Sequence, residues 1–571
     1  MRSLRVLVVA VVAGSASCGG HAPPPGAPAW AAPAVLTQVP AEAPYVFASI
    51  EPLSEPVRAR ALLQLEVELG QLVDRAQHMS ADQIIARTKA AHRAMLAPWI
   101  RAGVAVAREL NAKDMANVAS QLGLATSGRF VLYGLSVWPV LRLEVANPVR
   151  LRQVIERALA ASGVPVQQAT QDGRAYWSTG TPEVTMIASV LARDVVFAVV
   201  PTAALAGVLP ELLGTRPPAQ PLIATTALPD LLARHRLIGY AFGYVDVHRL
   251  IDIVAGRGPV ALDAPIHALT GTVPPACGAD LDRLAQVAPR LVFGYHRLDE
   301  AGFEGGLVVE SPSPIASALT RLGAAAPEVT AALGQAALFA VGAAFNFDET
   351  IALLRGVTSE IHAHPFSCPW LAGINRQSDL LATKLAFPFP PLLRDLHGAS
   401  LVIDRGEILP PSIEGHLLIA SNHAAALVPL ATTLVPALSG LKLKDDGVPV
   451  ELPTQKLGIP LLSSTHVAMS GDRLAIATGT DSDHRATAEL AVATPRSSPL
   501  FTIAFDGKQL RALFAALGAE NETDRLTNLG QAKISLDASD AGLRLNVVGT
   551  WSERSAPAAT PARLPVTAAA P

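Results

Sequence analysis

The feature that most constrains the fold is a short apolar stretch that runs directly into a helical pattern, with an aspartate at the junction. It occurs at residues 240–256, with Asp246 at the junction, and again at residues 501–518, with Asp506 in the same position. A carboxylate placed there accepts hydrogen bonds from the free N–H groups of the first helical turn and suits the positive helix end. Asp246 and Asp506 are therefore predicted to be structural helix caps. The alternative is that they are catalytic carboxylates.

The order of such features along the chain indicates an internal duplication. Strands at 45–50 and 337–345, strands at 141–145 and 416–420, turns at 192–194 and 470–473, the two strand–Asp–helix units, and hairpins around 299–302 and 537–542 follow one another in the same order. The sequence therefore predicts an α+β fold made of two diverged copies, residues 41–325 and 326–552. Each copy is expected to be a mainly antiparallel sheet covered by helices.

Composition narrows the classes of partner. The chain has 571 residues, of which 50% are hydrophobic and 16% are charged, so there is ample material for a core. Aromatic residues make up only 5%, and the net charge is −3 without a basic cluster. Stacking platforms and basic surfaces are the usual means of binding nucleic acid. No nucleic-acid partner is predicted.

The N-terminus has the pattern of an exported protein. Residues 1–17 begin with two arginines and continue with an apolar run that is too short to span a bilayer, which is typical of a signal peptide. Cys18 follows directly, and residues 15–18 resemble a bacterial lipobox, in which the cysteine is lipidated. We expect a membrane anchor at Cys18. The alternative is a secreted protein cleaved near Ala16.

Two segments outside the predicted copies are rich in proline and alanine. Residues 18–40 are expected to form an extended tether after the lipidated cysteine, and residues 553–571 a disordered tail. Gly19 stands where an acidic residue retains some lipoproteins at the inner membrane. The expected location is therefore the cell envelope, on the outer membrane, facing the periplasm or the cell surface.

The remaining cysteines are Cys277 and Cys368, one in each predicted copy. Two cysteines in the folded body of an exported protein are expected to pair. Such a disulfide closes a long loop and is expected to contribute a few kcal/mol to stability. The alternative is two buried thiols that pack as small apolar side chains.

One cluster has a metal-like composition. His362, His364 and Cys368 lie within seven residues, and alternating histidines on an extended segment point to the same side. A closed site needs three or four ligands, and no further side chain is positioned to complete the set. Neither a metal nor another cofactor is predicted.

A second polar cluster comprises Asp481, Asp483 and His484. Its spacing lacks the rest of a calcium loop, and Gly, Thr, Asp and Ser are also turn-forming residues. We interpret it as a turn that leads into a helix.

Standard catalytic motifs are absent from the sequence, which has no Gly-x-Ser-x-Gly elbow, no His-Glu-x-x-His helix and no phosphate-binding loop. A triad built from distant residues is defined by geometry, so sequence does not exclude it. A hydrolase site would be sought at His423 beside Ser421, or at His466 beside Ser464 and Thr465.

The segment at 39–46, Val-Pro-Ala-Glu-Ala-Pro-Tyr-Val, and the repeated strand-to-helix units are similar to those of families of exported bacterial proteins of unknown function. The resemblance covers most of the mature chain. It implies the α+β architecture and an exported location, and it implies no particular activity.

Three functions are compared on this basis. The first is a non-enzymatic envelope lipoprotein with a partner-binding or structural role, which predicts a dry core and an exposed apolar patch. The second is a carrier of an apolar ligand such as a lipid, which predicts an apolar cavity between sheet and helices. The third is a hydrolase with an unrecognised site.

Overall fold

The computed structural model describes residues 33–58, 73, 78, 80–86, 88, 90–110, 117–163, 165–258, 262–264, 266, 273–323, 337–408, 411–454, 464–491, 499–516 and 529–552. The predicted signal peptide, Cys18, most of the tether and the predicted tail lie outside the described residues.

The fold is built on a large antiparallel sheet. Its strands are β1 Tyr45–Ser49, β2 Phe130–Leu135, β3 Trp138–Glu144, β4 Gln167–Gln171, β5 Arg174–Gly180, β6 Val184–Val190, β7 Asp194–Pro201, β8 Phe242–Asp246, β9 Arg290–Leu298, β10 Gly302–Glu310, β11 Phe339–Ala344, β12 Leu396–Ile408, β13 Pro411–Ser421, β14 Val450–Glu451, β15 Thr465–Ser470, β16 Arg473–Thr478, β17 Phe501–Asp506, β18 Leu529–Ser539 and β19 Gly542–Trp551. Their pairings give the order β4-β5-β6-β7-β3-β2-β1-β8-β9-β10-β19-β18-β17-β11-β12-β13-β16-β15-β14.

The helices lie between these strands in the chain. They are α1 Ala81–Ala86, α2 Ala90–Glu109, α3 Val118–Leu122, α4 Pro148–Ser162, α5 Leu205–Leu212, α6 Ala227–His235, α7 Val247–Val254, α8 Pro275–Val287, α9 Ser313–Thr320, α10 Phe347–Ala363, α11 Ala372–Leu385, α12 Pro391–Asp395, α13 Leu427–Leu434, α14 Ser482–Ala491 and α15 Gly507–Ala516. The protein is therefore of mixed α and β structure. None of the helices in the described ranges is long and apolar enough to cross a membrane.

The sheet is continuous from one end of the chain to the other. β10 pairs with β19 over nine residues, from Gly302 opposite Thr550 to Glu310 opposite Gly542. The sequence predicts a separate sheet for each copy, whereas the structure has one sheet that these two strands join. Edge strands carry unpaired backbone groups whatever their side chains are, so sequence patterns do not reveal which edges meet.

Four strand-to-helix junctions have an Asn or Asp cap. At each one the side-chain oxygen accepts a hydrogen bond from a backbone N–H in the first turn of the helix. The bonds are Arg150 N to Asn147 at 2.9 Å, Arg249 N to Asp246 at 3.1 Å, Glu349 N to Asn346 at 3.1 Å, and Lys508 N and Gln509 N to Asp506 at 2.9 Å. Position before a helix accounts for Asp246 and Asp506 without any chemical role.

The largest buried cluster lies in the part of the sheet formed by residues before 325. Leucines from α5 and α6 pack there against β1, β2, β3, β7 and β8. Val35, Leu36 and Val39 belong to the same cluster and are almost fully buried. The tether predicted to reach residue 40 therefore ends earlier, because three apolar side chains within its Pro/Ala-rich composition bury enough surface to dock it.

Three buried clusters in the later part of the chain consist mostly of alanine, whereas a fourth, around Val467, Met469 and Leu474, has larger side chains. Ala344, Ala420 and Ala475 pack with Leu418 under Leu490 of α14. A neighbouring cluster contains Ala337, Ala340, Ala504 and Val402. Because alanine buries far less apolar surface than leucine, this core gains less stability from each residue.

Candidate functional site

One unusual surface is a face of the sheet between β13 and β10, which we call the open face. Directly paired residues of antiparallel strands point to the same side, so the register defines two adjacent rows of apolar side chains. They are Leu417, Leu401, Val341, Ile503, Ile534 and Val547 in one row, and Phe501, Leu536, Leu545 and Leu307 in the other.

None of these ten side chains is buried. Leu401, Phe501 and Leu545 are 41%, 39% and 38% exposed, and the other seven are partly exposed. On the opposite side of the same strands, Ala340 and Val402 are buried. The strands are thus apolar on both faces, and only one face is fully covered. Contiguous exposed apolar surface of this kind marks an interaction site.

The corresponding face is covered at β9 and β10. Leu53 and Val57, which open the first helical tract after β1, pack there with Tyr295 and Phe303. Trp551 of β19 stacks on Phe303 with ring centroids 5.0 Å apart. The helix that follows β11 behaves differently, since α10 buries only Thr358 and packs mainly against α11. The open face exists because α10 does not lie on it.

A cavity of about 190 Å³ lies between sheet and helices near the other end of the sheet. Ala102 and Gly103 of α2 and Ala158 of α4 line one side, and Trp177 and Phe197 line the other. Native cores rarely contain voids larger than a water molecule. The space is partly open to solvent, so it is accessible to a small ligand.

Cys277 of α8 and Cys368, just before α11, form a disulfide in the structure, with Cα atoms 4.4 Å apart and a sequence separation of 91. The surrounding contacts hold the same two segments together. Asp280 accepts hydrogen bonds from the backbone N–H groups of Ser367 and Cys368 at 2.7 and 2.8 Å. The Arg283 guanidinium lies 3.9 Å from the ring centre of Phe366. The helical pair α10–α11 is thereby fixed to α8.

The metal-like cluster does not come together. His362 lies on α10 with Nδ1 4.0 Å from Asp379, both side chains are well exposed, and Cys368 is occupied by the disulfide. His364 ends the same helix, and its carbonyl accepts a hydrogen bond from Arg283 at 2.6 Å. Within the described ranges, no three metal-type side chains converge. A second, open cleft of about 390 Å³ runs between α10 and α11 beside His362.

A buried charged network surrounds the first capping aspartate. Asp246 lies 3.6 Å from Arg290, which also approaches Glu310 at 3.9 Å. His235 Nε2 is 2.7 Å from Glu310 Oε1 and the histidine is fully buried. Burial of Glu310 opposes its ionisation, but the hydrogen bond from His235 and the charges of Arg290 and Arg234 outweigh it. The pKa of Glu310 is therefore below its usual value.

A second buried ion pair lies in the large cluster and was not predicted. Arg142 of β3 is 1% exposed, donates to Asp194 at 2.6 Å, and donates to the carbonyls of Glu211 and Leu212 at 3.1 and 2.7 Å. The two carbonyls belong to the end of α5, so Arg142 also caps that helix. An arginine within an apolar strand is the sequence signal that indicates such a site.

The sequence candidates for a hydrolase lie in two separate places. His466 Nδ1 is 2.8 Å from the Oγ of Ser482, a residue that the sequence reading did not pair with it. Ser482 is 2% exposed, so a substrate does not reach its hydroxyl. Thr465 is buried and hydrogen-bonded to Thr478 at 3.0 Å, and Ser464 lies 3.3 Å from Ser482. The arrangement positions His466 rather than activating a nucleophile.

His423 pairs with an aspartate and not with a serine hydroxyl. Its Nδ1 is 3.0 Å from Asp395 Oδ2, and the side chain is 70% exposed. Ser421 is fully buried, and its Oγ accepts a hydrogen bond from the His423 backbone N–H at 3.3 Å. The serine and the imidazole therefore do not form a nucleophile–base pair.

The polar cluster at 481–484 leads into α14. Asp481 has a φ of 54°, which a residue in a tight turn adopts. The backbone N–H of His484 lowers the pKa of Asp483, as expected for a carboxylate at a helix start. The geometry is that of a strand-to-helix turn.

Comparisons with protein-family models, with curated proteins and with solved structures return no match for this chain.

Proposed function

We propose that this protein is a non-enzymatic lipoprotein of the bacterial envelope that binds a partner protein through the open face. The exposure of Leu401, Phe501 and Leu545 on three strands of that face carries the proposal. Burying a contiguous apolar surface against a partner removes it from water, which is favourable. Binding of a partner therefore explains why the protein keeps the open face apolar. The anchor is Cys18, and Gly19, which stands in place of an acidic residue, favours the outer membrane, while the resemblance to exported families supports export.

The partner is expected to present an apolar surface. All ten side chains of the open face are aliphatic or aromatic, so binding depends on buried area and shape and little on salt. Ser421 beside His423 and Ser482, the serine that contacts His466, are both buried, which supports a binding role over hydrolysis. Ser464 is exposed, and its hydroxyl accepts from Ser482 at 3.3 Å.

A photo-cross-linking residue placed at 401, 501 or 545 in the producing bacterium tests the proposal. We expect an adduct of one discrete mass at each position. The control position is Val149 of α4, which is 65% exposed but lies away from the open face. Equal adducts at Val149, or none at the three open-face positions, would contradict the proposal.

We also propose that the body arose by duplication. Outward from the β10–β19 joint, the order is β9-β8-β1-β2-β3-β7-β6-β5-β4 on one side and β18-β17-β11-β12-β13-β16-β15-β14 on the other, so that β4 alone has no counterpart among the described strands. The nine paired residues of each strand centre on Gly306 opposite Asn546; Glu310, the last residue of β10, lies opposite Gly542, the first of β19, and Gly302, the first of β10, lies opposite Thr550, the residue before the last of β19. Such pairing is isologous, as at a two-fold dimer interface. An experimental structure with a different register at β10–β19 would remove this support.

The second candidate function is a carrier of an apolar ligand. The cavity between α2, α4 and the strands β5 to β7 favours it. Recovery of a lipid with the protein, lost on denaturation in native mass spectrometry, is the expected result. A protein mass without bound lipid would contradict the carrier function, and only the partner-binding proposal would remain.

A further inference from the structure

We propose that the cavity between α2, α4 and β5–β7 binds the end of a single hydrocarbon chain. The inference deepens the carrier candidate by naming its ligand class. It does not depend on the open face, which lies on other strands.

The volume suits a small apolar group. An engineered apolar cavity of about 150 Å³ stays free of water and binds benzene or xenon. The cavity here is about 190 Å³, so it accepts a ligand segment of that size or slightly larger. It is smaller than the roughly 300 to 1,000 Å³ typical of sites that enclose a whole drug-sized molecule. The ligand is therefore held by one end only.

The lining is mostly apolar and offers few partners to a polar ligand. Trp177, Phe197 and Met186 form one wall, and small residues on the two helices leave the space between them. Two residues with hydroxyl groups, Ser178 and Thr179, also line the cavity, and the Thr179 hydroxyl donates to the Pro165 carbonyl at 3.3 Å. A buried water needs two to four polar partners, which this lining does not offer. A hydrocarbon needs none.

The position of the opening determines how the ligand is oriented in the cavity. Gly103 is exposed and lines the cavity, so the space communicates with solvent beside α2. A chain that enters there keeps its polar end in water. An acyl chain has this form, and it is supplied either by a free lipid or by the protein's own anchor at Cys18.

The probe is octanoate, titrated by calorimetry into the full mature protein with the Cys18→Ser substitution, which removes the anchor. We expect one-to-one binding. Ala158→Leu fills the cavity from α4 and Gly103→Leu fills it from α2, where an added Cβ meets no neighbour within 4 Å. Each substitution is expected to weaken binding by about tenfold or more.

Two control variants distinguish the effect of filling the cavity from the effect of a changed helix propensity. Gly103→Ala gains the same backbone preference with one small methyl, and Gly356→Leu places leucine on α10, where its Cβ also meets nothing. Both are expected to bind octanoate about as the parent does. No binding to the parent, or unchanged binding in both filled variants, would overturn the proposal.

Comparing octanoate binding by the lipidated protein and by the Cys18→Ser protein identifies the source of the hydrocarbon chain. If octanoate binds the Cys18→Ser protein and not the lipidated one, the anchor occupies the cavity. If both bind, and a lipid leaves the Cys18→Ser protein on denaturation, the ligand is a free lipid. Either result supports the site, and neither bears on partner binding by the open face.

Discussion

The parts of the sheet before and after the β10–β19 joint share a strand order, except for β4, which has no counterpart among the described strands after the joint, and they are stabilised differently. Around β1 to β3 the core is made of large side chains and includes a buried ion pair. Around β11 to β13 the buried side is mostly alanine, and the other face is open. A strand order is thus compatible with a fully covered sheet and with one that keeps apolar surface exposed.

The largest expected effect tests the ion pair of the first part. In the strand register Arg142 of β3 lies opposite Val196, the third residue of β7. The corresponding position in the second part is Leu418 of β13, which lies opposite Ala475, the third residue of β16. Arg142→Ala leaves Asp194 and two carbonyls unpaired, and we expect a loss of about 3 to 5 kcal/mol in the free energy of unfolding. Urea denaturation measures it. A loss below about 1 kcal/mol would show that the buried charge does not distinguish the two parts.

Removing the disulfide tests what holds the two parts together. The Cys277→Ser, Cys368→Ser double variant frees a loop whose ends are 91 residues apart. We expect it to lose about 2 to 4 kcal/mol and to expose α10 and α11 to proteolysis before the rest of the chain. Denatured mass spectrometry of the unmodified protein provides the control. A mass that lacks two hydrogens supports the bond, and the full reduced mass contradicts it.

A smaller, pH-dependent effect is expected at Glu310. Its pKa is lowered in the folded protein, so its charge stabilises the fold above the unfolded pKa of about 4.3, and this contribution disappears as pH falls through the folded pKa. Glu310→Gln is therefore expected to cost about 2 kcal/mol at pH 7 and progressively less below about pH 4. Thermal unfolding across this range measures the difference. Glu407→Gln, at an exposed position, is the control. A cost independent of pH would contradict the assignment.

The smallest expected effect concerns the open face. Phe501→Thr removes a side chain that is already 39% exposed and keeps a strand-forming residue, so we expect a change within about 1 kcal/mol. Phe242→Thr, at a fully buried position of the first part, is the contrast and is expected to cost several-fold more. Equal costs would mean that the open face is packed in solution.

The sequence predicts local elements well where the pattern is strong. β1 at Tyr45–Ser49 and β11 at Phe339–Ala344 lie within the strands predicted at 45–50 and 337–345, since each is a short apolar run that leads towards a helix start. β12, the longest strand, was not predicted because glycine, serine and charged residues interrupt its apolar pattern. The helix α11 was also missed.

The candidate sites depend on tertiary placement and are harder to predict. A strand with apolar residues on both sides predicts burial on both sides. Whether a helix such as α10 covers one of them depends on where its ends are tied, here partly by Cys368. Ser482 likewise meets His466 only through the packing of α14 on β15.

The position of β1 determines how the body responds to a mechanical pull on its N-terminus. β1 is hydrogen-bonded on both sides, to β2 and to β8, and does not lie at an edge. The segment before it is tied to the neighbouring loop by hydrogen bonds from Ala41 N to Gln220 and from Leu222 N to Val39. Antiparallel hydrogen bonds run perpendicular to the strand, so a force along β1 loads both ladders in shear at once. A pull on the N-terminal segment is therefore resisted by both ladders at once, which attachment through an edge strand does not provide.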